Sequence, residues 1–377
     1  MKRELPELSI ILPCRNEEQA LPTCLNQIKE IIKKEKLNAE IIVSDSSTDK
    51  SPEIAMKSGV TLVKHNKEGY GNAYLEGFKK AKGKYIFMAD SDLSYDFNYI
   101  PKFLNSLKEN NDLVIGNRFS NKMEKNSMPL THKYLGNPIL SFTLRLLFQT
   151  KIKDSHCGMR AIKKEALEKL NLQTTGMELA SEMIIKALKN NLKIKEIPIS
   201  YKKRVGNSKL NPISDAWRHF RFMLLYNPLF LFFIPGLIFL LIGINTFILL
   251  YAGKLQILGI QLYIHPLFLS SLLIITGYQL IIFSIFAKTY AITHLNEQPI
   301  FKNLYKHLTL EKALILGTTI TFIGLLIYFS IFYNWINTNL GNLNQIKNSI
   351  LALTLTTIGI QTIFSAFILS ILGIEEK

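Results

Sequence analysis

The chain has 377 residues and carries 45 Lys and Arg against 29 Asp and Glu, a formal net charge of +16. Its mean hydropathy is nevertheless positive, a pairing foreign to ordinary soluble domains and suited to a membrane protein with a basic face on one side of the bilayer. The chain shows no zinc-ligand pattern, RNA-binding signature or basic low-complexity tail, so no nucleic-acid partner is expected, and the three scattered cysteines, Cys14, Cys24 and Cys157, imply no disulfide framework.

In chain order, the charged start Met1–Glu7 has no signal-peptide h-region after it, so a cleaved signal peptide is not expected. Leu8–Leu12 reads as a first strand. Glu17 to about Lys34 follows with helical spacing of Leu21, Leu25, Ile28 and Ile32. Glu40–Val43 is a second strand. It ends in Ser44–Asp49, where Asp49 is placed to cap a helix with Pro52 in its first turn. Val60–Val63 is a third strand. Glu68–Asn72 is a glycine-containing turn before a helix through Lys80. Tyr85–Ala89 is a fourth strand, short, aromatic and apolar throughout, and Leu113–Gly116 is a fifth. Strand–helix alternation at this interval predicts an α/β fold, a mostly parallel sheet with helices on both faces.

Asn211–Tyr226 combines apolar Trp217, Phe220, Leu224 and Leu225 with charged Arg218, His219 and Arg221, the pattern of a helix lying in the headgroup region. Four apolar segments follow, at about 229–250, 266–287, 313–333 and 350–374. Each is free of Asp, Glu, Lys and Arg and long enough to cross hydrocarbon. The predicted organisation is therefore a soluble domain over 1–210, an interfacial helix over 211–227 and an all-α transmembrane domain over 228–377. The second connection holds Lys288, Lys302, Lys306 and Lys312, whereas the first and third hold only Lys254 and Lys347. By the positive-inside rule, that bias places the N-terminal domain on the cytoplasmic side, with Tyr251, Tyr263, Tyr333 and Trp335 at the outer boundary. Spans without ionisable groups look like an anchor and not an ion pathway.

The chemistry gathers at the sheet's carboxyl edge, where open α/β sheets bind ligands. Three loops emerge there, Pro13–Glu17, Ser44–Ser46 and Asp90–Asp92. Asp90 and Asp92 stand one residue apart at the end of a buried strand. Carboxylates that close repel each other unless a cation lies between them. A hard ion, Mg²⁺ or Mn²⁺, takes oxygen ligands and is readily shared with a diphosphate. Asp45 has the chemistry to accept hydrogen bonds from a base or ribose. Gly69 and Gly71 form part of no complete phosphate-loop motif.

Leu12-Pro13-Cys14-Arg15-Asn16-Glu17, Val43-Ser44-Asp45-Ser46-Ser47-Thr48-Asp49 and Asp90-Ser91-Asp92, in that order and spacing, resemble the motifs of family-two glycosyltransferases. Gly116-Asn117-Arg118-Phe119, the run from Asp154 to Ala161, the run from Thr175 to Met183, and Arg204–Leu210 are similar to the dolichol-phosphate mannose and glucose synthase branch. The likeness spans about residues 8–226. It implies a GT-A, Rossmann-like fold. It also implies transfer of a hexose, mannose or glucose, from a UDP- or GDP-sugar to dolichyl or polyprenyl phosphate, with inversion. By the same resemblance, Pro13, Arg15, Glu17, Val43 and Asp45 line the nucleoside pocket. Asp90, Ser91 and Asp92 meet diphosphate and metal, and Ser94 occupies the place of a glutamine metal ligand. Ser44 replaces the first of two aspartates found in many members. Arg118, Arg204 and Lys209 hold phosphates, which suits guanidinium and ammonium groups. Asp154 and His156 are expected near the acceptor phosphate, and Asp154 is counted with the catalytic residues. Glu178 and Glu182, one helical turn apart, are expected to position the acceptor, since a lipid phosphate is already ionised and needs no general base. Membrane lipids are expected partners, and self-association is left open. A processive polysaccharide synthase is the rival reading, and its Gln-x-x-Arg-Trp motif is absent. A non-catalytic sugar-nucleotide-binding membrane scaffold is a second rival.

Overall fold

A computed structural model describes residues 5–206, 212–253, 256–257, 260–262, 264–294, 309–341 and 343–373. Lys209, Tyr263, Lys254, Lys302 and Lys306 lie outside the described residues. The chain divides into two compact units, Met1–Tyr226 and Asn227–Lys377.

The first unit alternates β1 (Leu8–Cys14), α1 (Leu21–Lys34), β2 (Ala39–Asp45), α2 (Ser51–Lys57), β3 (Thr61–Lys64), α3 (Tyr70–Lys80), β4 (Tyr85–Met88), α4 (Ile100–Lys108) and β5 (Leu113–Asn117). Then come α5 (Asn137–Phe148), β6 (Arg160–Lys163), α6 (Lys164–Leu170), α7 (Leu179–Lys189), β7 (Ile194–Pro198) and α8 (Pro212–Leu225). The seven strands lie in the order β3-β2-β1-β4-β6-β5-β7. β6 runs antiparallel to both β4 and β5, and the other pairings are parallel. Ile10, Ile11, Ile42, Ile86 and Val114 are fully shielded from solvent in this sheet. Burial of such a side chain contributes roughly 1.5–3 kcal/mol, so the strands are held from both faces.

The order in which successive strands are laid down reverses between β1 and β4, the crevice where doubly wound sheets bind ligands. The register sets the edge of that crevice: Cys14 pairs with Asp45, and Ile11 with Met88. The loops after β1, β2 and β4 therefore leave the sheet side by side.

Two strands, β6 and β7, escape the sequence reading. β6 is four residues long and begins with a charged residue, Arg160, that is 1% exposed. The first helix also begins later than its periodicity predicts, at Leu21 and not Glu17. The intervening residues are drawn onto the next loop. Asn16 and Glu17 donate their backbone N–H groups to Ser47 Oγ (2.7 Å) and Ser51 Oγ (3.0 Å), and the Glu18 N–H reaches Asp49 (3.1 Å). Asp49 also accepts from the N–H of Ser51 at the head of α2 (2.9 Å).

Among the described residues, the second unit holds four helices long and apolar enough to cross a membrane: Leu229–Tyr251, His265–Thr293, Leu310–Asn337 and Ile346–Leu372. They correspond to α9 (Ile234–Tyr251, preceded by a π-helical turn), α10 (His265–His294), α11 (Leu310–Asn337) and α12 (Ile346–Leu372). The helices outrun the apolar runs: α10 continues through Lys288, which is buried. At 1.5 Å per residue, about 28 residues span about 42 Å, more than the hydrocarbon thickness. Lys347, in the first turn of α12, donates to the carbonyls of Leu250 and Tyr251 (3.4 and 3.2 Å) at the carboxyl end of α9. Phe322, Phe329 and Phe364 are each more than half exposed, the arrangement of a lipid-facing surface.

Candidate active site

A cavity of about 290 Å³ opens beside the carboxyl ends of β1, β2 and β4. Pro13, Cys14, Arg15 and Glu17 line it from the first loop, Ser46 from the second, and Asp90, Ser91 and Asp92 from the loop after β4. Gly69 and Tyr70 from the head of α3, Gly176, Met177, Arg204 and two residues of α8, Asp215 and Arg218, complete the wall.

The loop after β4 is held in an unusual backbone form. Leu93 has φ of 64°, a left-handed conformation that costs a side-chain-bearing residue about 1–3 kcal/mol. This turn brings both the N–H (3.0 Å) and the Oγ (2.5 Å) of Ser94 back onto Asp92 Oδ1. Backbone bonds from Val205 N–H to Asp92 O (2.9 Å) and from Lys202 N–H to Ser94 O (2.9 Å) lay the 202–205 segment along it. That pairing carries Arg204 over the acids: its Nη2 lies 3.2 Å from Glu17 Oε1 and its Nε 3.6 Å from Asp92 Oδ2.

Asp90 is under different constraints. Among the described residues its buried Oδ1 accepts no hydrogen bond. Gly158 sits against it; a Cβ there would come within 2.8 Å of the carboxylate, so only glycine permits the approach. Burial, followed by the charge of Asp92, pushes the Asp90 carboxyl up to about 7. An orphaned acid oxygen beside a second acid in a cleft is an all-oxygen donor set, which fits a hard divalent cation. Among the described residues no group of three or more His, Cys, Asp or Glu is placed to hold one metal ion, so the remaining coordination would have to come from ligand oxygens or water.

Several residues expected at the site lie behind it. Val43 and Asp45 are fully buried. The Asp45 carboxylate turns onto its own loop, accepting from Ser47 Oγ (2.6 Å) and N–H (3.3 Å), and Ser46 faces the cavity instead. The Ser94 hydroxyl is committed to Asp92 and is fully buried. Arg118 and Asp154 form a buried two-pronged pair, Nε–Oδ2 and Nη2–Oδ1 both 2.8 Å, and Asp154 also accepts from the Arg118 N–H (3.0 Å). Arg118 therefore meets its partner acid inside the fold and is not presented to the cavity. Its guanidinium lies over the Tyr201 ring, 5.2 Å from the centroid.

Glu182 likewise serves the wall. Its buried carboxylate accepts from the N–H of Gln173 (3.0 Å) and Thr174 (2.9 Å) and from Thr174 Oγ1 (2.6 Å), and pairs with Lys186 (2.7 Å). The loop it anchors supplies Gly176 and Met177 to the cavity and packs on α3, where Gly71 leaves no space for a Cβ beside the Thr174 carbonyl. Glu178 stands at the head of α7, and its buried Oε2 accepts no hydrogen bond among the described residues. His156 packs edge-to-face on His219 of α8, centroids 4.3 Å apart, and shares a hydrogen bond with Ser155 Oγ (2.8 Å). Burial holds both imidazoles below the usual range, His219 at about 4.

Helix α8 combines three roles that sequence reading merged into one. His219 faces inward and bonds Ser181 Oγ (2.8 Å), Asp215 and Arg218 face the cavity, and Trp217 and Leu225 are exposed. The i, i+3 spacing of Asp215 and Arg218 was the available signal that they share a face. Tyr70 gave no such signal. α5 and the π-helical turn before it expose a second apolar surface, through Tyr134, Leu135, Ile139, Phe142 and Leu146, with Lys133 and Arg145 against Tyr134 and Phe142.

A mostly parallel sheet with a cleft at the strand-order reversal and two acids at the end of a central strand is the architecture of a doubly wound α/β ligand-binding domain. Residues 9–171 match the family model "Glycosyl transferase family 2", and residues 285–373 match "Glycosyltransferase family 2 C-terminal transmembrane region". The chain is 34% identical over 370 residues to the low-salt glycan biosynthesis hexosyltransferase Agl6 of Haloferax volcanii, covering 98% of this chain and 89% of that protein. It is 31% identical over 211 residues to a dolichyl-phosphate hexose transferase of the same organism, covering 56% of this chain and 89% of that one. A solved mycobacterial protein shares the fold at a TM-score of 0.50 and 16% identity, over 59% of this chain and 75% of the other. The chain belongs to glycosyl transferase family 2: it is a glycosyltransferase with a membrane region.

Proposed function

We propose that this enzyme transfers a single hexose, mannose or glucose, from a UDP- or GDP-sugar to the phosphate of a dolichyl or polyprenyl lipid, with inversion at the anomeric carbon. The observation that carries the reading is Asp90 and Asp92 in one cleft, with an unpartnered Asp90 oxygen and Arg204 beside them. Asp90 and Asp92 would hold Mg²⁺ or Mn²⁺, which would supply Lewis-acid neutralisation of the leaving diphosphate. Arg204 offers the diphosphate a planar guanidinium with several donors. Arg218, on the α8 wall, adds a second cation to the same cleft. The acceptor phosphate arrives already ionised, so no residue has to remove its proton. The residues' task is to hold two anionic reactants together and in line, where positioning and fixed charge supply most of the rate.

A lipid acceptor is supported by the exposed apolar surfaces of α5 and α8 on the unit that carries the cleft. The name of the Haloferax dolichyl-phosphate hexose transferase points the same way. The lysine bias of the membrane half supports a cytoplasmic catalytic unit. The test is to supply the purified full chain in lipid nanodiscs with labelled UDP-glucose, GDP-glucose or GDP-mannose, a polyprenyl phosphate and Mg²⁺ or Mn²⁺. A glycolipid bearing one sugar through a phosphate is expected. A polymeric product, or nucleotide binding without turnover across this panel, would reject the proposal.

A further inference from the structure

Arg204 contacts two acids of the cleft, and one of them is the acid a cation needs. Its Nη2 reaches Glu17 and its Nε faces Asp92 Oδ2, the oxygen that Ser94 leaves free, because Ser94 takes Oδ1 with both N–H and Oγ. The Arg204 Nε is buried and makes no hydrogen bond among the described residues. It is thus held by charge at 3.6 Å and not by a full hydrogen bond, a contact that a better partner can replace. The backbone beneath is fixed by the Val205–Asp92 bond, so the side chain can turn without moving the segment that carries it.

We infer that Arg204 is a latch that makes cation binding conditional on the diphosphate: guanidinium and divalent ion compete for Asp92 until phosphate oxygens draw the guanidinium away. This deepens the metal–diphosphate reading above and rests on it. A divalent ion approaching Asp92 meets a fixed positive charge within about 4 Å, which opposes its entry. A diphosphate offers Arg204 a stronger, two-pronged partner than the single oxygens of Glu17 and Asp92. Once Arg204 turns to it, Asp92 Oδ2 is released beside the unpartnered Asp90 Oδ1. The two ligands then strengthen each other's binding by an equal factor, as linkage requires. Arg204 acts here as a positioning residue that sets the order of loading, so that the two acids take up a cation chiefly when there is a diphosphate to neutralise.

The test uses the full chain in detergent and does not depend on turnover. Mn²⁺ alone is titrated into wild type, Arg204→Gln and Arg204→Lys, following the free-ion electron paramagnetic resonance signal. Separately, binding of radiolabelled UDP and GDP is measured by equilibrium dialysis with and without saturating Mn²⁺. Arg204→Gln is expected to bind Mn²⁺ alone about tenfold more tightly than wild type, with a smaller gain in nucleotide affinity on adding Mn²⁺. Arg204→Lys, which keeps the charge, is expected to lie between the two. Thermal unfolding of each variant confirms that the comparison is made on folded protein. Equal Mn²⁺ affinity in wild type and Arg204→Gln, with the metal–nucleotide coupling unchanged, would overturn the latch and leave the metal–diphosphate site standing. Failure of all three proteins to bind Mn²⁺ with either nucleotide would overturn both.

Discussion

In the N-terminal unit, charged side chains are buried in matched sets: Arg118 with Asp154, Glu182 with Lys186 and the backbone of its neighbouring loop, and Arg160 with the carbonyls of Ser155, Cys157 and Ala180. In the membrane unit the corresponding contacts are mostly between neutral groups: Ser271 with Thr354, Tyr278 with Thr362 and Thr246 with Ser270. Its helices close on one another through Gly236, Gly243 and Gly277, where a Cβ would meet the facing helix. The contrast reflects what each unit must hold. A site for anionic reactants needs fixed charges, and these are kept in place by other charges around them. A lipid-facing bundle has no water to solvate a charge and needs only to keep its helices close.

Four experiments break or sharpen that contrast. The largest effect is expected from Asp92→Ala, which removes a proposed metal ligand and the anchor of the Ser94 turn. Transfer should fall by roughly a hundredfold or more while membrane insertion is retained, read by glycolipid assay alongside carbonate extraction. Arg118→Ala should come next, through stability. It leaves Asp154 charged and unpaired in the interior, at a cost of about 3–5 kcal/mol, seen as a lower unfolding midpoint of the N-terminal unit in urea.

The third experiment varies pH. Burial keeps His219 neutral down to about 4, whereas the unfolded chain takes up the proton near the ordinary imidazole value. The unfolded state therefore binds more protons between these limits. The stabilisation is complete above about 6.5 and is lost as pH falls toward 4. A series of melts should show wild type weakening over that window more steeply than His219→Phe; parallel curves would remove His219 as a source of the acid sensitivity. The smallest effect is expected from Thr362→Val in the membrane unit. It breaks one interhelical hydroxyl pair, with a loss of about 0.6 kcal/mol and unchanged transfer.

Much of the site was legible because local sequence carries it. An apolar run ending in two acids, or a loop that follows a strand, needs no knowledge of distant residues. The Asp90–Asp92 pair, Glu17, Arg15 and Arg204 do meet around one cavity. Arg118, Asp154 and Glu182 show where such reading stops. Each is a charged residue in a motif, and nothing in the motif distinguishes a group that meets a ligand from one that holds another part of the protein. Asp154 lies 36 residues from Arg118, and the outcome depends on which partner the fold brings within 2.8 Å.

By itself, then, the order of residues determined what short-range periodicity and composition encode: alternating strands and helices, an acid pair at a strand end, and four stretches too apolar to remain in water. Only the tertiary structure decided the antiparallel insertion of β6, the burial of Arg118 and Asp45, the entry of Asp215 and Arg218 into the cleft, and the seat of Arg204 over Asp92. The physical reason is one of range. Hydrophobic patterning acts within a few residues, whereas the pairing of a buried charge is settled by whichever opposite charge or dipole the folded backbone sets against it.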